Sequence, residues 1–450
     1  MIDGFMSRIQ GTQIGSTRNA TNGSSPIIVS VEMGYGHLRA ANAIAESLGT
    51  EVIRLDLPPV AGPGEAALWC GIRKFYNGLS QACDWPVVGT AAQAVLEKIT
   101  EIKPLLQHRN SEPPNLLAHL TDGLSGTVLG RRLRTIAAGR PILATYPAAA
   151  MAALHAPGAR IFCLVTDTDL NRAWAPLNPR GVCIEYLAPV TRVVDRLRSF
   201  GVPDQRIHLT GFPLPAKLTA QAKPALARRL HRLDPARAFR SRADKAAAAF
   251  VQEIPQPAST EPMVMTVAIG GAGGQTGHVD QILKSVRKRV LDGKLKLNLV
   301  AGTRADLVEN LRKMVRNTGL SLENNKGVEI LFAAEHKEYF RLFDNCLAAT
   351  DLLWTKPSEL VFYAALGLPI LLAPPLGGQE HANRDWLLSN DAALDTGNPA
   401  TLDRRLEELL TTGALCRVAW NGYSRLERGC LDRIFELMDS VGRRGLGSVT

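Results

Sequence analysis

The sequence lacks the features that mark membrane-spanning, secreted and metal-binding chains. No apolar run reaches the ~18 residues that a membrane-spanning helix needs. Residues 1–24 are polar and show no secretory signal, so we expect a disordered tail there. The seven cysteines include no CxxC pair, and no His/Cys cluster has zinc-site spacing. These absences favour a cytoplasmic protein with reduced thiols, and they predict no metal site.

Several nucleotide and hydrolase motifs are absent as well. Neither glycine-rich loop of the chain, at 34–36 or 270–277, fits the GxGxxG fingerprint, and neither is followed by the GK[ST] of a P-loop. No GxSxG nucleophile elbow occurs either. The usual dinucleotide and nucleoside-triphosphate sites are therefore disfavoured. Both loops still offer backbone N–H groups to a phosphate.

Positive charge is concentrated in one stretch. The net charge is +10, and residues 216–250 hold nine Lys or Arg against two Asp. Few aromatic residues interleave with these cations, so a nucleic-acid partner is disfavoured. A solvated linker helix and a segment attracted to anionic lipid both fit the pattern. The aromatic stretch 65–84 also has two interpretations, because its residues suit either core packing or a bilayer interface.

The hydrophobic pattern that is typical of the start of a doubly wound sheet occurs twice in the chain. Pro26 to Val31 is an apolar strand followed by a glycine loop and a helix, and Met263 to Ile269 begins the same pattern again. We therefore predict the α/β class, with two Rossmann-like doubly wound domains facing a cleft. The predicted divisions are a tail at 1–24, a first domain at 25–215, a basic linker at 216–260 and a second domain at 261–450.

The stretch Leu352 to Trp386 predicts a strand–helix–strand unit. Gly367 ends the predicted helix, at a position that favours a left-handed backbone conformation. The strand that follows shows no alternation of apolar and polar residues, as expected for a buried parallel strand. Polar loops at 355–359 and 377–383 follow both strands, where open α/β sheets bind ligands. A helix start beside Lys356 suits a diphosphate, and the Gln, Glu and Asn of the second loop suit sugar hydroxyls. An ordinary strand–helix–strand unit with polar loops is the alternative.

Two side chains of the first glycine loop are candidates for proton transfer. His37 lies at a predicted helix N-terminus, which disfavours the imidazolium and leaves the neutral imidazole that a general base needs. Glu32, five residues earlier, is placed to orient or assist it. A structural histidine that caps the helix is the alternative. Asp167 and Asp169 form a DxD triplet that holds a metal in some sugar-transferring enzymes, although we expect no metal here.

Taken in order, these motifs resemble GT-B glycosyltransferases of the MurG and monogalactosyldiacylglycerol synthase type. The resemblance covers residues from about 27 to 390 and rests on short segments in the family's order. These segments are MGYGH with Arg39-Ala40, LVTD before Trp174, RIHLTGFP at 206–213, the loop 270–277, the segment 329–334, Thr355-Lys356, Gly367-Leu368-Pro369 and Gly378-Gln379-Glu380 with Asn383.

The resemblance implies roles for individual residues. His37 or Glu32 would be the catalytic base, and the acceptor side would include Gly34, Gly36 and Asp167. The donor, a nucleotide sugar, would meet residues on the loops of the second domain, namely Gly271, Gly273, Gly274, Gln275, Phe332, Lys356, Ser358, Glu359, Gln379, Glu380 and Asn383. No metal and no cofactor are implied besides the donor substrate.

One departure from the family concerns the ribose. The family has a Glu seven residues before Pro369 for the ribose hydroxyls, and this chain has Phe362 there, with Glu359 as a candidate substitute. The expected function is transfer of a hexose from a nucleotide sugar, UDP-linked by resemblance, to an acceptor hydroxyl, with a lipid at a membrane surface as one candidate acceptor. A nucleotide-sugar 2-epimerase and a non-catalytic nucleotide-sugar-binding protein are the alternatives.

Overall fold

The structure is a computed structural model that describes residues 25–83, 89–105, 112–125, 127–253, 261–270, 276–322 and 327–444. Two six-stranded parallel sheets form the framework, each flanked by helices. Strands in the middle of each sheet, such as Ile27–Ser30, Ile161–Leu164 and Leu352–Thr355, are buried along their whole length, as expected for parallel sheets covered on both faces.

The first domain carries a sheet of order β2-β1-β3-β4-β5-β6. Its strands are β1 (Ile27–Ser30), β2 (Val52–Arg54), β3 (Ile142–Ala144), β4 (Ile161–Leu164), β5 (Ile184–Ala188) and β6 (Ile207–Leu209). Its helices are α1 (Tyr35–Leu48), α2 (Pro63–Ala82), α3 (Gly89–Ile99), α4 (Leu116–Leu124), α5 (Leu133–Ala137), α6 (Pro147–Ala153) and α7 (Thr191–Ser199). The strand order reverses between β1 and β3, so the switch point, where such sheets bind ligands, lies there.

The second sheet has the order β12-β11-β10-β7-β8-β9, with its switch point between β7 and β10. Its strands are β7 (Met263–Ala268), β8 (Leu295–Gly302), β9 (Val328–Phe332), β10 (Leu352–Thr355), β11 (Ile370–Leu372) and β12 (Leu394–Asp395). The helices from the first sheet onward are α8 (Ala216–Arg232), α9 (Lys245–Gln252), α10 (Thr276–Leu291), α11 (Ala305–Asn317), α12 (His336–Ala349), α13 (Gly378–Ser389), α14 (Leu402–Thr412), α15 (Ala414–Arg425) and α16 (Cys430–Arg444).

The predicted fold class is confirmed: the chain is α/β, with two Rossmann-like domains that face one another, each built on a parallel six-stranded sheet. Gly367 has the predicted left-handed backbone, with φ of 65°. The helix predicted after Lys356 is a 3-10 helix, Glu359–Leu366, whose eight residues are all buried. A Cβ on Gly422 of α15 would lie 2.3 Å from the Ala364 carbonyl oxygen, so α15 packs closely against this helix.

The basic stretch 216–250 is largely packed against the second domain. Leu226 and Leu230 of α8 belong to that domain's core. Arg229, 2% exposed, donates to three backbone carbonyl oxygens at the ends of α12 and the 3-10 helix. Arg228 and Arg232 both pair with Asp351, which is fully buried. These three arginines therefore bond within the domain, and the freely exposed positive charge of the stretch lies elsewhere.

The aromatic stretch 65–84 forms α2 and divides between core and surface. Trp69 is 3% exposed and packs in the first domain, whereas Phe75 is 63% exposed. Within the described ranges, no helix combines the length and apolar character needed to span a membrane.

Candidate functional site

The carboxyl ends of the two sheets meet across the interface between the domains. Asn383, in α13 of the second domain, bonds to Asp167 and Thr168, which follow β4 of the first domain. Tyr35, at the start of α1, bonds to Thr303, which follows β8. Asp167 of the first domain and Asn383 of the second, both predicted site residues, therefore meet at the carboxyl ends of the two sheets, where open sheets bind ligands.

His37 is held in one orientation at the first switch point. Its Nδ1 lies 2.6 Å from the Thr145 carbonyl oxygen after β3 and 3.1 Å from Thr166 Oγ1 after β4. A carbonyl only accepts, so Nδ1 carries the proton and the lone pair is on Nε2. Burial lowers the pKa of His37 to about 4, against the Thr145 hydrogen bond, which raises it. At neutral pH the imidazole is uncharged and suited to act as a base.

Glu32 is instead held as an anion by cations of both domains. Its Oε2 accepts from Arg54 at 2.8 Å and Arg73 at 2.6 Å, and its Oε1 lies 3.4 Å from His336 Nε2. Burial alone would raise its pKa, but the hydrogen bond and charge of His336, with the two arginines, lower the pKa to about 2. So weakly basic a carboxylate is a poor proton acceptor at neutral pH, which leaves His37 as the better candidate of the two.

The two acceptor-side glycines permit close approach. Gly34 has φ of 93°, a left-handed conformation that favours glycine, and it precedes the first turn of α1. A Cβ on Gly36 would lie 3.1 Å from Glu359 Oε2 across the cleft. Any larger residue at position 36 would push against this carboxylate. Glu359 therefore faces the base-bearing loop directly.

Phe362 lies on the same side of the 3-10 helix as Glu359. Residues three apart eclipse one another in a 3-10 helix. Phe362 stacks on Phe212 of the first domain, with ring centroids 4.4 Å apart, and also packs on Trp386. Where the family resemblance expects a ribose-binding carboxylate, an aromatic contact joins the domains. The carboxylate on that helix face is supplied one turn earlier, by Glu359.

Lys356 and Glu380 form a charged pair at the ends of β10 and β11. Lys356, 6% exposed, has its Nζ 3.4 Å from Glu380 Oε1, and Glu380 Oε2 accepts from the Leu376 N–H at 2.7 Å. Ser358 lies in the loop after β10 and Gln379 in the first turn of α13, and both are half-buried. The structure thus pairs two predicted donor residues, Lys356 and Glu380, and the buried ammonium group of Lys356 suits a phosphate.

Asn383 uses three of its four hydrogen bonds to tie the domains together. Its Oδ1 accepts from Thr168 N at 2.8 Å and Thr168 Oγ1 at 2.9 Å, and its Nδ2 donates to Asp167 at 2.9 Å and to the Pro357 carbonyl at 3.0 Å. The amide is fully buried. In this arrangement Asn383 is an interdomain clamp, and contact with a donor would require the clamp to open.

Asp167 is a half-buried acid near two other carboxylates. Burial raises its pKa, the Asn383 hydrogen bond opposes the rise, and the charges of Glu359 and Glu380 add to it, giving a pKa of about 6. Burial likewise raises the pKa of Glu359, partly offset by Arg39. The cleft therefore holds one carboxyl group, that of Asp167, that can gain or lose a proton near neutral pH, beside a second carboxyl group, that of Glu359, whose pKa is also raised.

The DxD triplet does not present two carboxylates to one point. Asp169 binds the guanidinium of Arg196 through both oxygens, at 2.8 and 3.0 Å, and that of Arg192 at 2.8 Å. Its carboxylate is therefore already neutralised inside the first domain. Across the described residues, no three His, Cys, Asp or Glu side chains gather as a metal-binding group.

The predicted residues of the second glycine loop cannot be placed. Gly271, Gly273, Gly274 and Gln275 lie outside the described residues. Phe332, predicted to approach a nucleotide base, is the last residue of β9 and pairs with Gly302 of β8. It is half-buried at the edge of the cleft, beside the residues that receive Tyr35.

Two tyrosines of the site were missed by sequence reasoning. Tyr146 follows β3 and packs edge-on against His37, with ring centroids 5.0 Å apart. Tyr76 projects from α2 toward Glu380 and Asp167, and burial with those charges raises its pKa. The position of Tyr146 directly after a predicted strand was a usable signal. Nothing in the local pattern of α2 marks Tyr76, because only the tertiary fold brings that helix to the cleft.

Comparisons with known proteins find likeness in structure only. No family model matches the sequence, and no curated protein matches it significantly. The UDP-GlcNAc 2-epimerase of Neisseria meningitidis bound to UDP-GlcNAc is 12% identical, with 92% of this chain and 99% of that chain covered and a TM-score of 0.47. S. aureus MnaA with UDP is 10% identical, with 93% and 97% covered and a TM-score of 0.48. A glycosyltransferase of Rickettsia africae is 11% identical, with 93% and 98% covered and a TM-score of 0.44.

Proposed function

We propose that this chain is a glycosyltransferase that moves a hexose from a UDP-linked sugar to an acceptor hydroxyl without a metal. The observation that carries the proposal is a cleft with a fixed, neutral His37 in one domain and Lys356, Glu359 and Glu380 in the other, where Gly36, next to His37 in the chain, approaches Glu359. One side of the cleft offers a base for the acceptor, and the other offers a cation for a diphosphate and carboxylates for hydroxyl groups.

The step that this arrangement supports is a direct displacement. His37 Nε2 takes the proton of the acceptor hydroxyl as the acceptor oxygen forms a bond to the anomeric carbon. The bond between that carbon and the diphosphate oxygen breaks, and its electron pair leaves with UDP. Lys356 stabilises the negative charge that develops on the diphosphate. The proton removed from the acceptor hydroxyl stays on His37 as an imidazolium, which later releases it to water.

A nucleotide-sugar 2-epimerase is the second candidate, and Asp167 favours it. Epimerisation needs groups that remove and return protons on the sugar, and a buried carboxyl group with a pKa of about 6 is suited to this. Incubation with UDP-GlcNAc alone separates the two. A 2-epimer appearing without acceptor would establish the epimerase, whereas UDP release that depends on an added acceptor would establish the transferase. UDP binding with neither product would leave the non-catalytic binder.

The diphosphate contact can be tested at Lys356. Lys356→Gln should weaken UDP binding about tenfold or more, because a charge-assisted hydrogen bond contributes about 1.5–3 kcal/mol. Uridine, which lacks phosphate, should bind equally to both proteins. Isothermal titration with the two ligands makes the comparison, and Lys337→Gln, an exposed lysine of α12, is the control. Equal UDP affinity in wild type and Lys356→Gln would remove Lys356 from the donor site.

We also propose that the acceptor is a lipid at an anionic membrane surface. The support is the exposed cations Arg237, Arg242 and Lys245, together with the exposed Phe75 of α2. Basic residues near an anionic surface contribute up to about 1 kcal/mol each, and salt screens this attraction.

Vesicle sedimentation tests the membrane proposal. The protein should sediment with anionic but not neutral vesicles at low salt, and high salt should release it. Replacement of Arg237, Arg242 and Lys245 by Gln should weaken sedimentation, whereas Lys284→Gln with Lys288→Gln on α10 should not. A wild-type protein that ignores anionic vesicles at low salt would contradict the proposal and favour a soluble acceptor.

A further inference from the structure

Tyr35 extends from the first domain into the second. It occupies the first position of α1, yet its hydroxyl accepts a hydrogen bond from the Thr303 N–H at 2.9 Å and lies 3.1 Å from Thr303 Oγ1. Thr303 directly follows β8 of the second sheet. The side chain therefore fills a position at the carboxyl end of a parallel strand, next to the switch-point strand β7.

The ring of Tyr35 lies on an aromatic surface at the start of α12. Its centroid is 5.0 Å from that of Tyr339, 6.0 Å from that of His336 and 6.4 Å from that of Phe340. A Cβ on Gly302 would come within 2.3 Å of the Tyr35 hydroxyl oxygen. The glycine at the end of β8 thus leaves room for a ring at this point.

This environment has the chemistry that recognises a nucleobase. The ring of Tyr35 packs on aromatic side chains, as a nucleobase would. Its hydroxyl oxygen accepts a hydrogen bond from the N–H at the end of a strand, as a pyrimidine carbonyl oxygen would. A nucleotide lies across the carboxyl ends of the strands of such a sheet. If its phosphates bind near Lys356, which follows β10, its base lies on the other side of the switch point, at the ends of β8 and β9. Phe332 ends β9 beside Gly302 at this position.

We propose that Thr303, His336, Tyr339 and Phe340 form the nucleobase subsite, and that Tyr35 fills it as an intramolecular plug when the domains are closed. The inference rests on the proposed nucleotide-sugar function and adds a regulation to it. Tyr35 and the base compete for one N–H and one aromatic surface. The apparent affinity for nucleotide is therefore reduced by the fraction of molecules in which Tyr35 is withdrawn.

Ligand titrations on Tyr35 variants test the plug. Tyr35→Ala should bind UDP and uridine about tenfold more tightly than wild type, because the competing ring is gone. Tyr35→Phe keeps the ring and loses only the bond to Thr303, so its gain should be smaller, about threefold. Pyrophosphate has no base, and its affinity should be the same in all three proteins.

The titrations distinguish the results that would contradict the plug, the base subsite and the proposed donor. If UDP binds wild type and Tyr35→Ala equally, the plug is wrong and the proposed function stands. If the affinity for pyrophosphate rises as much as that for UDP, the substitution merely opens the cleft, and the base subsite is wrong. If none of the proteins binds UDP or uridine, both the subsite and the proposed donor are wrong. Tyr35→Phe removes a single oxygen atom, so it still tests the proposal if Tyr35→Ala does not fold.

Discussion

Replacement of His37 by alanine is expected to lower kcat by about 10²–10⁴-fold, the range that a positioned general base contributes. UDP binding should be nearly unchanged, because His37 belongs to the first domain and contacts Thr145 and Thr166 there. His37→Gln should be as inactive, since an amide nitrogen is no base. Initial rates with a UDP-sugar and acceptor, beside titration with UDP, separate the two effects.

The pH dependence provides an independent check on the same residue. Protonation removes the Nε2 lone pair, so the base form is lost as the pH falls through the pKa of His37, about 4. The contribution of His37 to the rate should therefore be constant around and above neutral pH and disappear only in strong acid. His381→Ala, an exposed histidine of α13, is the matched control and should be fully active. An active His37→Ala protein would show that another group is the base.

The second large effect is expected in stability. Asp169→Ala should lower the free energy of unfolding by about 3–5 kcal/mol, the usual cost of removing one partner of a buried ion pair. Arg196 is 1% exposed and would keep only the longer contact to Glu112, at 3.6 Å, whereas Arg192 is half exposed and would be rehydrated. Urea denaturation measures the change. The same argument predicts that Asp169→Asn is destabilising, so it is an unsuitable probe of metal binding.

Asp195→Ala provides the control, because Asp195 lies on the adjacent α7 and pairs with Arg198 while both are about half exposed. Surface pairs of this kind contribute little, so the loss should be below about 1 kcal/mol. Activity in the presence of EDTA tests the metal separately. Equal losses in the two variants would show that the Asp169 pair is not the buried contact described here. Activity that is lost in EDTA and recovered with added Mn²⁺ or Mg²⁺ would restore the metal interpretation.

Much of the framework was predictable because its signals are local. Fully apolar runs such as Leu368 to Ala373 predict buried parallel strands, and the left-handed Gly367 follows from helix-end chemistry. His37 was predictable for the same reason, since a strand, a glycine loop and a helix start fix where it lies. The carboxyl-end rule then placed Asp167 and Lys356 on the same cleft.

The remainder of the site depends on tertiary contacts that no local pattern encodes. The arginines of α8 were expected on a solvated or lipid-facing linker, yet Arg229 binds three carbonyl oxygens because two other elements end beside it. Glu32 was expected to assist catalysis, and cations from β2, α2 and α12 hold it as an anion instead. The charge state of Glu32 follows from neighbours that are distant in sequence.

The Asn383 clamp has a consequence for the timing of the reaction cycle. Three of its four hydrogen bonds cross between the domains, and one amide group makes all three. Rotation of that single side chain would therefore break these three bonds together. Since domain opening in enzymes that close over a substrate occurs in microseconds to milliseconds and often limits turnover, the proposed transferase would release UDP at a rate that depends on how often Asn383 rotates. Asn383→Ala would then shorten the lifetime of the product complex.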